Sequence, residues 1–358
     1  MNEDLANLDK EEVRMILDIK RAVAMDKIAR PNKQEELAAF WSKHNKEIVA
    51  PKKGQFLKYW YAAASVAAIL LIGLFVTFKL TEMKSIGPKG IQVYAANQNS
   101  RNLSIDIQGK TYVLNSRAVN RDLSSLGIEM KGCNLTFKVP VNSNKLKEEQ
   151  RTITTPSGSI YTLTLTDGSI IHLNAASKLT FPTVFVNGTR VVELEGEAYF
   201  EVAHDAKHPF IVKTPYFETT VLGTKFNVRA YSRLQSNVTL ISGKVRVSNG
   251  KDESIVLNPE EQACLTADGK IVKQRTDVYP YLEWQKGNFY FDNVPLVEIT
   301  RELGRWYNVD VIFENRRVMN KSMHFVANRN EDIRRAIYNL NVLDMFTVKL
   351  EDNKLIVK

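Results

Sequence analysis

Two histidines in the middle of the chain, His204 and His208, are the residues whose type and spacing best suit chemistry, and Asp205 lies between them. Imidazole nitrogens and carboxylates are common zinc ligands, and residues four apart share one face of a helix. However, the surrounding sequence predicts a turn between two strands, where helical spacing does not apply. No pair of cysteines and no third ligand lies nearby. We therefore predict ordinary loop histidines and no metal site.

Other patterns that could support catalysis are incomplete. The run from Gly223 to Lys225 (GTK) resembles the end of a phosphate-binding loop. The earlier glycine of such a loop is missing, and a strand is predicted to follow. No serine lies in a nucleophile elbow, and His44 and His324 are isolated in sequence. The sequence therefore predicts a protein that is not an enzyme and that needs no cofactor.

Composition and charge narrow the class of protein. The chain has 358 residues, of which 44% are hydrophobic and 25% charged, and these values are typical of folded domains. Its length predicts two or three domains. The net charge is +9, but residues 1–58 are nearly balanced, so they do not form the compact basic domain of a nucleic-acid-binding protein. Cys133 and Cys264 are far apart in sequence, and we expect them to be unpaired.

An uncharged run of 20 residues extends from Tyr59 to Phe78, between Lys58 and Lys79. As a helix this run would span about 30 Å, the thickness of the hydrocarbon core of a membrane. Because a long charged segment precedes it, the run is not a cleavable signal peptide. Lysines are more frequent before it than after it, which favours a cytoplasmic N-terminus. We predict one inner-membrane helix over residues 58–79, in contact with the lipid bilayer, and a periplasmic C-terminus.

The tail before this run, residues 1–57, is predicted to contain two short amphipathic helices. In the second helix, Leu37, Phe40 and Trp41 share one face. Helices this short bury little surface on their own. The tail therefore either completes its core against a partner or serves as a stalk next to the membrane. In the first case these three side chains are the predicted contact residues; in the second they pack on the first helix.

From about residue 90 to residue 280 the pattern changes to short β-branched and aromatic runs separated by turn residues. We divide this part into a membrane-proximal β-rich segment, residues 80–150, and a β domain, residues 151–280. The architecture is predicted to be all-β, as a sandwich or a solenoid. Glu193, Glu195 and Glu197 alternate with other residues, which predicts a solvated strand face. The predicted strands include Tyr161–Leu165, Ser169–Leu173, Lys178–Phe181, Arg190–Leu194, Ala198–Ala203, Phe210–Lys213, Lys225–Ala230, Val238–Ile241 and Lys244–Val247.

Several stretches of the β region resemble a known family. They are TTPSGSIYTLTLTDGSIIHLNAASKLTFP (154–182), VELEGEAYFEVAHDAKHPFIVKT (192–214), VLGTKFNVRAY (221–231) and VTLISGKVRV (238–247). In this order they resemble the ferric-citrate-regulator (FecR) family of anti-sigma factors. The glycines and prolines in these motifs stand where turns require them, so the motifs specify a fold and carry no chemistry of their own.

Residues 281–358 are predicted to form a small α+β domain of the order β-α-β-β-α-β, with one sheet and two helices. Pro295 opens the first helix, and Ile333 lies at the start of the second. The run FYFDNVPLVEITRELGRWYNVDVIF (289–313) resembles the C-terminal domain of FecR proteins from Bacteroidetes-type bacteria. That domain is similar to the small signalling fold of secretins and TonB-dependent receptors.

The resemblance implies a transmembrane anti-sigma factor that controls transcription of transport genes. Its partners would be a cytoplasmic extracytoplasmic-function sigma factor and the periplasmic signalling domain of an outer-membrane TonB-dependent receptor, with no direct contact to nucleic acid. Two other interpretations stay open. One is an envelope scaffold without sigma control. The other is a membrane-anchored carbohydrate-binding protein, which would use the aromatic cluster Tyr279, Tyr281, Trp284, Phe289, Tyr290 and Phe291.

Overall fold

The computed structural model describes residues 90–97, 102–114, 123–124, 126–139, 149–186, 188–250, 253–342 and 344–358. The predicted contact residues Leu37, Phe40 and Trp41 lie outside these residues, as does the predicted membrane helix from Tyr59 to Phe78. Within the described ranges, no helix has both the length and the apolar character needed to cross a bilayer. All described residues belong to one compact unit of the chain.

Short strands account for most of the described chain before residue 276. Their bounds are β1 Ile91–Tyr94, β2 Ser104–Ile107, β3 Lys110–Val113, β4 Ile128–Lys131, β5 Asn134–Phe137, β6 Gln150–Thr154, β7 Tyr161–Thr164, β8 Ile170–Leu173, β9 Lys178–Pro182, β10 Arg190–Glu201, β11 Phe210–Lys213, β12 Glu218–Val221, β13 Lys225–Ala230, β14 Ser236–Ser242, β15 Val245–Ser248, β16 Ser254–Leu257, β17 Glu261–Leu265 and β18 Ile271–Arg275. A short 3-10 helix, Arg233–Gln235, precedes β14.

Strands β2 to β18 form the β domain, residues 102–275, in which two sheets enclose one apolar core. The first sheet has the order β3-β2-β6-β9-β10-β11-β12-β15-β16. The second has the order β4-β5-β7-β8-β10-β13-β14-β17-β18. Buried side chains of both sheets, such as Phe210 from the first and Phe226 from the second, belong to the same core. The predicted all-β architecture is therefore confirmed.

Strand β10 belongs to both sheets because it bends at Gly196. Its first half pairs with β9 and β11, and its second half pairs with β8 and β13. Gly196 has a φ of +107°, and a Cβ at this position would lie 2.7 Å from the Cα of Ser177. Only glycine fits this conformation and this space. The prediction of two separate strands, Arg190–Leu194 and Ala198–Ala203, was therefore wrong: one strand, Arg190–Glu201, includes the first and most of the second.

The same bend overturns part of the prediction of a solvated glutamate face. Glu193 and Glu195 are exposed, but Glu197 is only 3% exposed. Because the bend breaks the alternation of the strand, the Glu197 side chain is buried. Its carboxylate accepts hydrogen bonds from the side-chain amides of Asn174, at 2.9 Å, and Asn227, at 3.0 Å.

The C-terminal domain, residues 279–358, contains three helices and five strands within the described residues. They are α1 Tyr279–Glu283, β19 Asn288–Pro295, α2 Leu296–Tyr307, β20 Asp310–Phe313, β21 Ser322–Asn328, α3 Ile333–Asn341, β22 Val348–Glu351 and β23 Lys354–Val357, with 3-10 helices at Trp284–Lys286 and Arg316–Val318. The predicted order β-α-β-β-α-β is found from β19 to β22, and the structure adds α1 before it and β23 after it. The prediction of one sheet was wrong, because β19 and β21 pair only with each other while β20, β22 and β23 form a second sheet. Helices α2 and α3 each pack against strands of both sheets.

Strand β1 completes the second sheet of the C-terminal domain, although it lies before the β domain in sequence. The order of this mixed sheet is β1-β20-β23-β22. β1 runs antiparallel to β20, with Ile91 opposite Phe313 and Tyr94 opposite Val311. The mixed sheet therefore joins segments from opposite ends of the described chain.

Candidate functional site

The contact between the β domain and the C-terminal domain is the candidate functional site, because it buries several charged side chains. Glu302 on α2 is only 4% exposed. Its carboxylate accepts hydrogen bonds from the guanidinium groups of Arg229 on β13 and Arg305 on α2, and both contacts are ion pairs. Buried charges are tolerated when they are paired and hydrogen-bonded in this way. The Arg229–Glu302 pair joins the two domains directly.

A second bridge between the domains is a cation–π contact. The guanidinium carbon of Arg305 lies 3.5 Å from the centroid of the Tyr231 ring in the β domain. The Tyr231 hydroxyl donates a hydrogen bond to the carbonyl oxygen of Ala175 at 2.7 Å. Ala175 itself packs into the apolar core of the C-terminal domain. Polar and apolar contacts thus meet at the same place, which favours a fixed arrangement of the domains.

Arg329, directly after β21, forms the third bridge. Its Nη1 donates a hydrogen bond to Oδ1 of Asn174 at 2.9 Å. The same guanidinium group lies 4.6 Å from the ring centroid of Phe289 and 4.8 Å from that of Trp306. Because Asn174 also donates to Glu197, Arg329 is connected to a buried carboxylate through one amide side chain.

The start of the C-terminal domain is fixed to the same network. Trp284, in the 3-10 helix that follows α1, is 5% exposed. Its Nε1–H donates to Oδ1 of Asn227 at 3.3 Å, and Asn227 in turn donates to Glu197. Next to the network, Gln235 donates to the Glu298 carboxylate on α2 at 2.7 Å. Trp284 and α2 are therefore both held by side chains of the β domain.

The charges of this network follow from burial and from the neighbouring groups. Burial raises the pKa of Glu302, but Arg229, Arg305 and Arg329 lower it more strongly, so the pKa lies below its usual range. Burial lowers the pKa of Arg329. Burial also raises the pKa of Tyr231, so its hydroxyl stays protonated at neutral pH. Glu302 is therefore an ionised carboxylate in a buried setting, with no proton to donate or accept near neutral pH.

Helix α2 contacts β1 as well as the β domain. Arg301 donates a hydrogen bond from Nε to the carbonyl oxygen of Val93 at 3.3 Å. The ring of Tyr94 lies against Gly304, where an added Cβ would come within 2.8 Å of Cδ1 of the tyrosine. One helix thus connects the edge strand of the mixed sheet to the ion pairs of the domain contact.

The histidines singled out in the sequence lie in the loop between β10 and β11, as predicted. Nδ1 of His208 is 2.7 Å from Oδ2 of Asp205. This hydrogen bond from His208 is the main cause that lowers the pKa of Asp205 to about 2. Among the described residues, no group of three or more His, Cys, Asp or Glu side chains is placed to hold a metal ion.

The glycine-containing run and the cysteines have structural surroundings. Thr224, in the run from Gly223 to Lys225, comes directly before β13, and its hydroxyl donates to the carbonyl oxygen of Lys244 at 3.0 Å. Cys133 and Cys264 are both free thiols, as predicted. Burial raises the pKa of Cys264, which makes its thiol less reactive.

The aromatic cluster considered for carbohydrate binding is mostly part of the packing. Trp284 and Phe289 are buried, at 5% and 1% exposure. The rings of Tyr279 and Tyr290 meet edge to face, at 4.8 Å between centroids and 81° between planes. Two rings at right angles do not form the flat surface on which a sugar ring would stack. This arrangement weighs against the carbohydrate-binding interpretation.

Sequence reasoning missed the ion pairs of the domain contact. The spacing of Glu298, Arg301, Glu302 and Arg305 is typical of an exposed, charged helix face. The pattern does not indicate that α2 is covered by the β domain as well as by the two sheets of the C-terminal domain. Its apolar side chains, among them Trp306, are buried in the core of the C-terminal domain.

Comparisons with known proteins agree with this domain arrangement. Residues 151–246 match the family model described as FecR protein, and residues 288–357 match the model described as FecR, C-terminal. The first match begins in β6 and ends in β15; the second runs from the first residue of β19 to the last residue of β23. No curated protein sequence matches the chain.

Two crystal structures of a candidate anti-sigma factor from Parabacteroides distasonis, at 1.65 and 2.50 Å resolution, are similar to this chain. Their TM-scores are 0.54 and 0.53, and each is 29% identical in sequence. Each match covers 58% of this chain and 98% of the other. The chain therefore carries a FecR domain and a FecR C-terminal domain.

Proposed function

We propose that this chain is a transmembrane anti-sigma factor and has no enzymatic activity. It would relay a signal from an outer-membrane TonB-dependent receptor to a cytoplasmic extracytoplasmic-function sigma factor, and so control transcription of transport genes. The observation that carries this proposal is the 29% identity to a candidate anti-sigma factor over 98% of that chain. The match includes a defined fold and not only a short motif, so a shared role is the simplest account of it.

The cytoplasmic part of the proposal rests on the sequence of the tail. Residues 1–57 would bind the sigma factor, with Leu37, Phe40 and Trp41 as the contact residues. An amphipathic helix with few residues of its own to pack against gains most from the groove of a partner. The run from Tyr59 to Phe78 would anchor the chain in the inner membrane, with the domains described above in the periplasm.

The periplasmic part of the proposal assigns receptor binding to the C-terminal domain. Tyr338, Val342 and Met345, on and just after α3, are 61%, 63% and 43% exposed. Val326 on β21 is 45% exposed, and its carbonyl oxygen accepts a hydrogen bond from Asn339 of the same helix. Neighbouring exposed apolar side chains are a common feature of protein interfaces. We expect the receptor's signalling domain to cover this surface.

Transmission through the domain would require two arrangements with different affinity for the receptor. Helix α2 is placed to link them, since it contacts β1 through Arg301 and the β domain through Glu302. Receptor binding would favour one arrangement and thereby change the chain next to the membrane.

The test is co-purification of the tagged full chain from its native cell, with identification of the bound proteins by mass spectrometry. We expect a sigma factor and an outer-membrane receptor. Phe40→Ala with Trp41→Ala should remove the sigma factor and keep the receptor, and Tyr338→Ala with Val342→Ala should do the reverse. Each double variant is the matched control for the other. Recovery of neither partner with the unaltered chain would contradict the proposal and favour an envelope scaffold.

A further inference from the structure

The mixed sheet of the C-terminal domain has two outer edges, and a side chain blocks one of them. At β22, Asn341 donates from Nδ2 to the carbonyl oxygen of Val348 at 2.9 Å and accepts the Val348 N–H on Oδ1 at 2.8 Å. These bonds use the backbone groups that a neighbouring strand would otherwise pair with. The asparagine therefore protects this edge from strand addition.

At the other end of the sheet, β1 covers the core strand β20, so the chain itself supplies the outermost strand. Val311, Ile312 and Phe313 of β20 are each 3% exposed or less. On one side β20 pairs in parallel with β23, and on the other it pairs with β1. Because buried backbone N–H and C=O groups require partners, a core strand of this kind needs an occupant along its outer edge.

β1 is less buried than the strand that it covers. It has four residues, and all of them are exposed or only half-buried. Its pairing with β20 is interrupted by an irregularity between Gln92 and Tyr94. Short edge strands with few buried contacts open at a small fraction of the global unfolding free energy. We therefore expect β1 to open more readily than the other strands of the mixed sheet.

The edge of β20 selects for a particular kind of strand. Gly304 leaves space for the ring of Tyr94, and the guanidinium carbon of Arg305 lies 5.8 Å from the centroid of that ring. An aromatic side chain at this position gains both packing and a cation–π contact.

Two polar side chains hold the backbone that follows β1. Asp310 accepts the N–H of Ala96 on Oδ1 at 2.9 Å. The Asn308 side chain accepts the N–H of Asn97 at 2.9 Å and donates to its carbonyl oxygen at 3.2 Å. On the side of the bound segment these contacts involve only backbone atoms, so they would hold any extended strand in the same register.

We propose that the outer edge of β20 is a binding site for an extended strand of a partner protein, and that β1 occupies this site in the resting molecule. A partner strand with an aromatic residue at the position of Tyr94 would bind by displacing β1. Displacement removes the contacts of Val93 and Tyr94 with α2, the helix that carries Glu302. The proposal rests on the C-terminal domain alone and does not require a sigma factor.

The test uses the purified full chain in detergent, with Cys133→Ser and Cys264→Ser, and a fluorescent peptide of residues 90–97 (GIQVYAAN). Gln92 lies opposite Ile312, so Gln92→Cys with Ile312→Cys is designed to lock β1 in place by a disulfide. We expect the peptide to bind the reduced protein and not the oxidised protein, as measured by fluorescence anisotropy. Because one protein is compared in two redox states, any loss of stability from the substitutions affects both.

Tyr94 provides an independent pair of measurements. Tyr94→Ala in the chain should increase the affinity for the peptide about tenfold, since the resident strand loses its main side-chain contact. Tyr94→Ala in the peptide should decrease the affinity by a similar factor. With the unaltered chain, added peptide should accelerate hydrogen exchange in β1 but not in β23. Equal binding in the two redox states, or no binding even to the Tyr94→Ala chain, would overturn the proposal.

Discussion

Glu302 joins two guanidinium groups that come from different parts of the molecule, Arg229 from the β domain and Arg305 from its own helix. At this depth the desolvation of each charge is costly, and the ion pairs offset that cost only while all partners are present. The removal of one charge therefore has a larger effect than the net contribution of the pair. This asymmetry makes Glu302 a suitable position for testing the domain contact.

We predict that Glu302→Gln destabilises the fold by about 3–5 kcal/mol, because Arg229 and Arg305 then lack a counter-charge in a buried setting. Glutamine keeps the size of the side chain, so the effect comes from charge. The measurement is the free energy of unfolding in a denaturant titration at neutral pH. Glu193→Gln, at an exposed position, is the control and should change stability by no more than about 0.5 kcal/mol. A loss as small as that of the control would contradict the role given to Glu302.

The comparison of the wild-type chain with Glu302→Gln also tests the pKa of Glu302. Its pKa is lower in the folded protein than in the unfolded chain, so the ion pairs stabilise the fold above the unfolded pKa. This stabilisation is lost as the pH falls through the lowered pKa of the folded state. The difference in stability between wild type and Glu302→Gln should therefore shrink in acid. A difference that stays constant down to strongly acidic pH would show that the charge of Glu302 is not its cause.

At the level of elements, β10 determines how the two sheets of the β domain are joined. A continuous strand can serve two sheets only if it bends sharply, and Gly196 provides the bend with a conformation that other residues rarely adopt. The hydroxyl of Ser177 accepts a hydrogen bond from the N–H of Glu197 at 2.9 Å and so fixes the bend from the other side. The bend also turns Glu197 into the core, where the network of the domain contact begins.

We predict that Gly196→Ala destabilises the protein by about 3 kcal/mol or more. The sum combines about 1–2 kcal/mol of backbone strain with about 1–3 kcal/mol of overlap with Ser177. Gly168→Ala is the matched control, because Gly168 also has a positive φ but a Cβ there would meet no atom within 4 Å. Thermal unfolding of both variants separates strain from overlap. Equal losses for the two variants would mean that the close approach to Ser177 has no energetic effect.

The strands show which parts of the fold a sequence can predict. The bounds of β11 and β13 were predicted residue for residue, because turn residues mark both ends of each strand. The continuity of β10 was not predicted, since a glycine between two apolar runs is equally typical of a turn. The pairing of β1 with β20 was also beyond reach, because nothing local in four residues indicates a partner on the other side of the β domain.

At the level of the whole molecule, the β domain and the C-terminal domain share a buried contact and part of a core. Arg229 belongs to the β domain and Arg329 to the C-terminal domain. Each donates a hydrogen bond to a side chain of the other domain. Domains joined by exposed linkers usually move independently, whereas a buried contact of this kind couples them. Charged residues are usually exposed, so the sequence alone indicates surface positions for the side chains in this contact. The contact could therefore be identified only from the structure.

We predict that the two domains of the full chain unfold in one transition in scanning calorimetry. Arg229→Ala with Arg329→Ala should split this transition into two, because the contact loses its main hydrogen bonds while each domain keeps its own core. Lys178→Ala with Glu195→Ala removes an exposed ion pair of the β domain and is the control, with one transition retained. Two transitions in the unaltered chain would show that the domains are independent.

The pairing of β1 with β20 also sets the order in which the molecule can be completed during synthesis. The hydrogen bond between Ala96 and Asp310 closes a loop of 214 residues. β1 therefore leaves the ribosome long before its partner, and the whole β domain can fold while this strand still has an open edge. A strand edge that is unpaired during synthesis can pair with other chains. Because β1 has only four residues, its edge offers little surface for such pairing. The mixed sheet is thus complete only after the C-terminal domain has been synthesised.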